Sequence, residues 1–216
     1  RKLLPEGLQI VPFYDRTDLV NAAMFNVAKV LVEGVLLVII LLFLFLGDVR
    51  SSIIVVATLI LTPLLTFVVM NRYGISANLM SLGGLAIAIG IMVDGSVVVV
   101  ENTFAKLGAR LKMGESRNRI ILEAASEVGK PVLFGIGIII LVFMPLLALE
   151  GMEGKMFAPM AITIAIALTI SLILSFLLSP VLCSYILKGG SEDDTKVVAY
   201  LRKYYDFMLN WCLNNP

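Results

Sequence analysis

The sequence predicts an all-α integral membrane protein: five transmembrane helices followed by an amphipathic helix at the membrane surface. Hydrophobic residues make up 59% of the chain and charged residues 15%, whereas soluble domains contain roughly 45–50% and about 25% of these classes. The mean hydropathy of +0.98 agrees with a membrane protein. The apolar residues form runs of about the length that a helix needs to cross a bilayer. These runs lack the period-two alternation of barrel strands.

The charge and cysteine content exclude several other classes. A net charge of +1 gives no electrostatic argument for binding nucleic acid. Cys183 and Cys212 lie far apart and the chain contains no histidine, so neither a disulfide framework nor a Cys/His metal motif is predicted. The chain shows neither an initiating methionine nor a signal peptide. We therefore expect a piece of a longer protein.

The predicted elements follow one another along the chain. Residues 1–23 precede the membrane, and residues 8–14 within them are expected to form a short strand. Residues 24–188 contain the five spans. Each is close to the roughly 20 apolar residues that cross about 30 Å of hydrocarbon as a helix. The predicted spans are 30–46, 53–70, 79–100, 131–149 and 158–187.

Residues 189–216 are expected to form an amphipathic helix on the cytoplasmic face of the membrane. Basic residues flank an apolar stripe with helical spacing, which is typical of interfacial helices. The alternative is a helix that docks on an adjacent soluble domain. The stripe consists of Val197, Leu201, Tyr204, Met208 and Trp211.

The basic residues predict the orientation of the spans. The segment 102–130 contains six lysines and arginines, whereas the connections 71–78 and 150–157 contain one each. Cytoplasmic loops carry the excess of Lys and Arg. Segment 102–130 and the C-terminus are therefore predicted to be cytoplasmic, and residues 1–23 to lie outside.

The third span carries two acids, in the stretch "IGIMVDGSVVVVEN". Asp94 and Glu101 are seven residues apart, which is about 10.5 Å along a helix and nearly one face. Gly83 and Gly90 continue this face, and small residues allow another helix to approach closely. An acid within a span costs about 2.5–3.5 kcal/mol, and burial disfavours its charged form. Such an acid can couple proton exchange to helix packing.

Two simpler explanations remain open at this point. A neutral Asp94 can hydrogen-bond to a neighbouring helix purely for packing. Glu101 can be ordinary polarity at the membrane boundary, because it lies at the cytoplasmic end of the span.

At these residues the chain resembles the heavy-metal efflux branch of the resistance-nodulation-division (RND) transporters. Residues 45–102 are similar to the second to fourth transmembrane helices of that family. The stretch "PLLALEGMEGKMFAPMA" resembles the end of the fifth helix and the start of the sixth, and "LSPVLCSYIL" the close of the sixth. Multidrug members typically carry two adjacent aspartates here, whereas Asp94 is followed by Gly95 as in the metal branch. Gly95 joins Gly83 and Gly90 as a packing residue near the acids.

The resemblance implies a fold and a mechanism. It implies an RND-type bundle in a homotrimeric pump of the bacterial inner membrane, with residues 1–23 ending a periplasmic porter domain and residues 24–188 forming helices two to six. The pump is expected to be a proton antiporter rather than an enzyme, without a permanently bound cofactor. It would export metal ions together with a periplasmic adaptor and an outer-membrane channel. By position, Asp94 and Glu101 match the proton-relay acids of zinc, cobalt and cadmium exporters.

Two features bear on the metal. Zinc, cobalt and cadmium exporters have a further acid where this chain has Ala88, and copper and silver exporters have alanine there. Met80 and Met92 match methionines along which copper and silver members pass ions, and thioethers suit Cu(I) and Ag(I). Methionine is otherwise an adaptable core residue. Copper or silver is favoured over zinc, cobalt or cadmium. A multidrug exporter core and a non-transporting lipid-binding or scaffold module are the alternatives.

Overall fold

The computed structural model describes residues 15–187 and, beyond them, residues 200, 204–206, 208–209 and 211–213. Within this part of the chain, five long helices make up the fold. Each is long enough and apolar enough to cross a membrane, which confirms the all-α class. They are α1, Thr17–Leu46; α2, Val49–Arg72; α3, Leu79–Arg110; α4, Arg117–Phe143; and α5, Gly151–Ile186.

The predicted spans coincide with these helices but differ from them at the ends. The first four helices begin before the predicted spans or with them, and α3 continues ten residues beyond position 100. The predicted span 131–149 is not one α-helix, because a 3-10 segment, Met144–Ala148, follows α4. Pro145 lies in that segment and has no amide hydrogen for an α-helical bond. α5 begins at Gly151 rather than at residue 158.

Short turns connect the helices, and residues in these turns cap the helix ends. Gly47 and Gly74 adopt φ angles of 67° and 68°, a region that favours glycine. The carboxylate of Asp48 accepts a hydrogen bond from the Ser51 amide at 3.0 Å and so caps α2. Asn78 and Ser81 form a reciprocal capping box that begins α3.

α3 is the central helix of the bundle. It packs against each of the other four helices, most extensively against α5. Its buried side forms the apolar core with α2 and α5, in which Ile54, Leu85 and Leu168 are fully buried. α1 and α4 lie at the periphery and expose most of their apolar surface. The arrangement leaves one side of α3 uncovered between α1 and α4.

Two predicted elements fall largely outside the described residues. The strand at residues 8–14 lies entirely outside them. Of the predicted surface helix 189–216, the described residues 200, 204–206, 208–209 and 211–213 are helical. The rings of Tyr200 and Tyr204 lie 5.2 Å apart, as residues four apart on a helix do. The amphipathic surface helix stays a prediction, as do the domain boundaries.

Candidate functional site

The uncovered side of α3 carries both predicted acids. Asp94, Glu101 and Gly90 are exposed, and Ile87, on the same face, is 45% exposed. The opposite side is packed, with Leu85, Ala88, Met92 and Ser96 at 2% exposure or less. The helical phase inferred from the sequence therefore matches the structure. Both carboxylates lie on one line along the face that this chain leaves open.

Asp94 is not enclosed by the chain, although an acid within a span is expected to be buried. The other helices pack against the remaining sides of α3, so no neighbour covers the Asp94 carboxylate. Within the described residues, neither Asp94 nor Glu101 has a hydrogen-bond or ion-pair partner. The Asp94 carboxylate is thus available to a proton or to a group contributed from outside this chain.

Two apolar grooves meet at Asp94. One, of about 280 Å³, lies between α1 and α3 and is lined by residues that include Leu42, Phe45 and Gly90. The other, of about 200 Å³, lies between α3 and α4 and is lined by residues that include Val98 and Ile136. Asp94 is the charged residue in both linings among the described residues. The neighbours of the Asp94 side chain within this chain are therefore mainly apolar.

The three predicted packing glycines differ in their surroundings. A Cβ atom added at Gly83 or at Gly90 would meet nothing within 4 Å, so these glycines belong to the open face. Gly95 is buried, and a Cβ atom there would lie 3.3 Å from a Val132 methyl carbon and 3.5 Å from the Ser175 hydroxyl. Gly95 therefore packs α3 against α4 and α5, on a different side from Asp94.

The structure also places the two predicted methionines. Met92 is buried, and its carbonyl accepts a hydrogen bond from the Ser171 hydroxyl at 3.0 Å. Met80 is half-buried near the start of α3. The two therefore lie twelve residues apart on the same helix rather than side by side. The described residues contain no cluster of three or more histidine, cysteine or acidic side chains that is able to hold a metal ion.

Sequence reasoning missed a polar cluster where the C-terminal part of α3 meets the N-terminal part of α4. The Asn102 amide donates to the Ala124 carbonyl at 2.8 Å, and Lys106 forms an ion pair with Glu127. Hydrogen bonds from the Lys106 ammonium and the Asn102 amide lower the pKa of the Glu127 carboxyl. The cluster joins α3 to α4 directly beyond Glu101. The alternation of acids and bases over residues 102–130 was the sequence signal for it.

A second group of hydrogen bonds in the same region surrounds Arg110. Its guanidinium donates to Glu123 and to Glu115, each at 2.6 Å. Hydrogen bonds from Arg110 and, to a smaller extent, from Arg119 lower the pKa of the Glu123 carboxyl. The bonds to Glu123 and Glu115 raise the pKa of Arg110. The connection between α3 and α4 is therefore held by charge pairs on both sides.

Comparison with known proteins identifies the family. The sequence model of the AcrB/AcrD/AcrF family matches residues 1–216, the whole chain. The chain belongs to this family. Within it, the cobalt-zinc-cadmium resistance protein CzcA of Cupriavidus metallidurans is 41% identical over 99% of the chain and 21% of its own length. The cation efflux system protein CusA of Escherichia coli is 38% identical over 86% of the chain and 18% of its own length.

A solved structure supports the same placement. The crystal structure of a heavy metal efflux pump is similar to this AcrB/AcrD/AcrF family member with a TM-score of 0.68 and 39% identity. The similarity covers 85% of this chain and 18% of that protein. These matches confirm the resemblance to the heavy-metal efflux branch of the RND transporters. The chain spans about a fifth of the length of the curated relatives it matches.

Proposed function

We propose that this chain forms part of the membrane domain of a proton-driven exporter of heavy-metal cations, in which Asp94 and Glu101 relay protons. The observation that carries the proposal is the open face of α3. There an unpaired carboxylate lies between two apolar grooves, in a chain of the heavy-metal efflux branch. Packing against the other described helices does not explain Asp94, because the acid has no partner among the described residues.

Protonation of Asp94 would change which helix arrangement is favoured. A charged carboxylate in apolar surroundings is costly, and binding a proton removes the charge. Each charge that moves across a potential of 100 mV supplies about 2.3 kcal/mol, enough to bias two arrangements of a few helices. Glu101 lies two helical turns further toward the predicted cytoplasmic end, which suits proton release on that side.

Copper(I) and silver(I) are the proposed substrates. At the position where zinc, cobalt and cadmium exporters have a further acid, α3 carries Ala88. This alanine is fully buried in the core. Met92, buried beside α5, and Met80, nearer the external end, provide the soft sulfur ligands that these ions prefer. Divalent cations are the second candidate. The higher identity to the cobalt-zinc-cadmium resistance protein, 41% against 38% for CusA, favours them.

The proposal also covers the oligomeric state, the location and the partners of the complete protein. It would be a homotrimer in the bacterial inner membrane, with residues 1–23 in the periplasm and the C-terminus in the cytoplasm. Lipid surrounds the apolar outer faces of α1 and α4, and a periplasmic adaptor and an outer-membrane channel complete the export path. A multidrug exporter core and a lipid-binding module are less well supported, because the identified relatives are metal efflux proteins.

The test is Asp94→Asn in the full-length protein, expressed in a metal-sensitive bacterium. We expect the variant to reach the membrane in normal amounts and to lose metal resistance completely. Asp48→Asn is the matched control. This substitution removes one carboxylate outside the apolar segment, and the amide oxygen of the asparagine side chain can still cap α2. Asp48→Asn is expected to retain resistance.

The growth assay should cover copper, silver, zinc, cobalt, cadmium and nickel. Wild-type resistance in the Asp94→Asn variant would refute the proton relay. Protection by the wild-type protein against zinc, cobalt or cadmium, without protection against copper or silver, would establish the second candidate.

A further inference from the structure

We infer that α3 and α5 move as one rigid unit during transport, and that Ser96 and Ser175 are positioning residues that fix Asp94 within this unit. The inference rests on the proposed proton relay and adds to it which helices keep their contacts while the relay operates. Its basis is a set of interhelical hydrogen bonds on the side of α3 that lies opposite Asp94.

The two hydrogen bonds lie immediately behind Asp94. The hydroxyl oxygens of Ser96 and Ser175 are 2.8 Å apart, and the Ser171 hydroxyl donates to the Met92 carbonyl at 3.0 Å. Met92 precedes Asp94 by two residues and Ser96 follows it by two. Both bonds are buried, so water does not compete for them. They attach α5 to α3 at the level of the acid.

A close contact of the two backbones reinforces these bonds near the other end of α3. A Cβ atom added at Gly84 would lie 2.7 Å from the Met160 carbonyl oxygen. Interfaces between membrane helices depend on such small residues, because they allow backbones to approach. The contact at Gly84 and the bonds at Met92 and Ser96 hold α3 against α5 over more than three helical turns.

The geometry of these contacts resists both sliding and rotation. One helical turn corresponds to 5.4 Å along the axis, and one residue to 100° around it. Either change would separate the Ser96 and Ser175 hydroxyls and leave them unpaired in an apolar interior, which is costly. The depth and direction of Asp94 are therefore tied to α5. The rearrangement that follows protonation takes place on the open face instead.

A disulfide provides the direct test. Because the two hydroxyl oxygens are 2.8 Å apart, sulfur atoms in their place come within reach of a disulfide bond of about 2.05 Å. The variant combines Ser96→Cys and Ser175→Cys in the full-length protein, with Cys183, Cys212 and all other cysteines replaced by alanine. Diamide oxidises the pair without adding a metal ion, and thiol labelling measures the fraction cross-linked.

Transport of the metal that the wild-type protein exports is then measured in vesicles before and after oxidation. We expect the cross-linked and reduced proteins to transport within about twofold of each other. Loss of transport on cross-linking, restored by reduction, would overturn the inference and leave the proton relay intact. An absence of transport in the wild-type protein itself would refute the proposed function instead.

Two alanine variants test the positioning role. Ser175→Ala removes the hydroxyl that contacts Ser96. Ser179→Ala is its matched control, because Ser179 lies one turn further along α5, is equally buried, and has no hydrogen-bond partner among the described residues. We expect Ser175→Ala to lower transport about threefold, which corresponds to the roughly 0.6 kcal/mol typical of such a bond.

The readout specific to positioning is the pH dependence of transport. The pH of half-maximal transport should shift in Ser175→Ala, which displaces the proposed relay carboxylate, and stay at the wild-type value in Ser179→Ala. A purely structural role would reduce the amount of folded protein and leave that pH unchanged. An unchanged pH of half-maximal transport in Ser175→Ala would overturn the positioning role.

Discussion

The contact between Gly84 and Met160 makes a sharp prediction about two neighbouring glycines. A Cβ atom at Gly84 would lie 2.7 Å from the Met160 carbonyl oxygen, 3.0 Å from its Cγ atom and 3.2 Å from its Cα atom. Two of these three atoms belong to the backbone, so a side-chain rotation does not relieve the contact. Gly84→Ala should therefore force α3 and α5 apart. A Cβ atom added at Gly83, one residue earlier, would meet nothing within 4 Å among the described residues.

The difference between the two variants isolates the contact. Alanine improves the intrinsic helix propensity by up to about 1 kcal/mol at either position, so this gain cancels in the comparison. Overpacking of a tight interface costs about 1–3 kcal/mol, and Gly84→Ala should be less stable than Gly83→Ala by that amount. The denaturation midpoint of Gly84→Ala should therefore lie below that of Gly83→Ala.

The assay is heat denaturation of the full-length protein purified in detergent, measured as the fraction that remains monodisperse after heating. Both variants must first reach the membrane in comparable amounts. Equal midpoints for the two variants would show that α3 and α5 do not approach as closely as described. A lower midpoint for Gly83→Ala would show that a helix from outside this chain packs on the open face even more tightly.

Two further predictions concern the end of the bundle that contains the connection between α3 and α4. The Arg117 guanidinium donates to the carbonyls of Cys183 and Leu187 at the end of α5, so Arg117→Ala should lower stability in the same heating assay by about 1–3 kcal/mol, because these acceptors lose their charged donor. The lowered pKa of Glu123, caused first by Arg110, means that this carboxylate stabilises the fold above its unfolded pKa near 4.5. Its contribution should disappear as the pH falls through the lower folded value.

The controls for these two predictions use the same region. Arg119→Ala removes an exposed arginine that pairs only with Glu123 among the described residues, and it should change stability by less than about 1 kcal/mol. Arg117 would have no capping role if the two arginine variants were equally stable. For the pH prediction, Glu123→Gln should be less stable than the wild type at pH 7, and the difference should shrink as the pH falls below the unfolded pKa of the glutamate. A difference that stays constant as the pH falls would contradict the charge mechanism.

The sequence predicted five helices of membrane-spanning length because lipid imposes a simple requirement. A helix that crosses a bilayer needs a long apolar run, and this requirement is visible without knowledge of packing. The predicted ends of the helices differ more from the structure. Polar residues extend α3 beyond the apolar run to Arg110. Proline and glycine interrupt the α-helix around residues 144–151. Those ends depend on capping and on contacts between helices.

The two acids were predictable for a related reason. Asp94 and Glu101 stand out in an apolar run, and seven residues place them on one face of any α-helix. Whether that face is buried or open could not be decided from the sequence, because all faces of an intramembrane helix can be apolar. Packing of α1, α2, α4 and α5 on the other sides of α3 decided it.

By itself, the sequence determined the membrane class, the five spans, the family and the line of acids on α3. These properties follow from hydropathy, periodicity and residue identity, which are local. The tertiary structure alone decided which glycine packs closely, Gly84 rather than Gly83, and which serine finds a partner, Ser175 rather than Ser179. The two glycines are consecutive, and the two serines are one helical turn apart. Because the residues of each pair are chemically identical, only the rotation and depth of α5 against α3 make them differ.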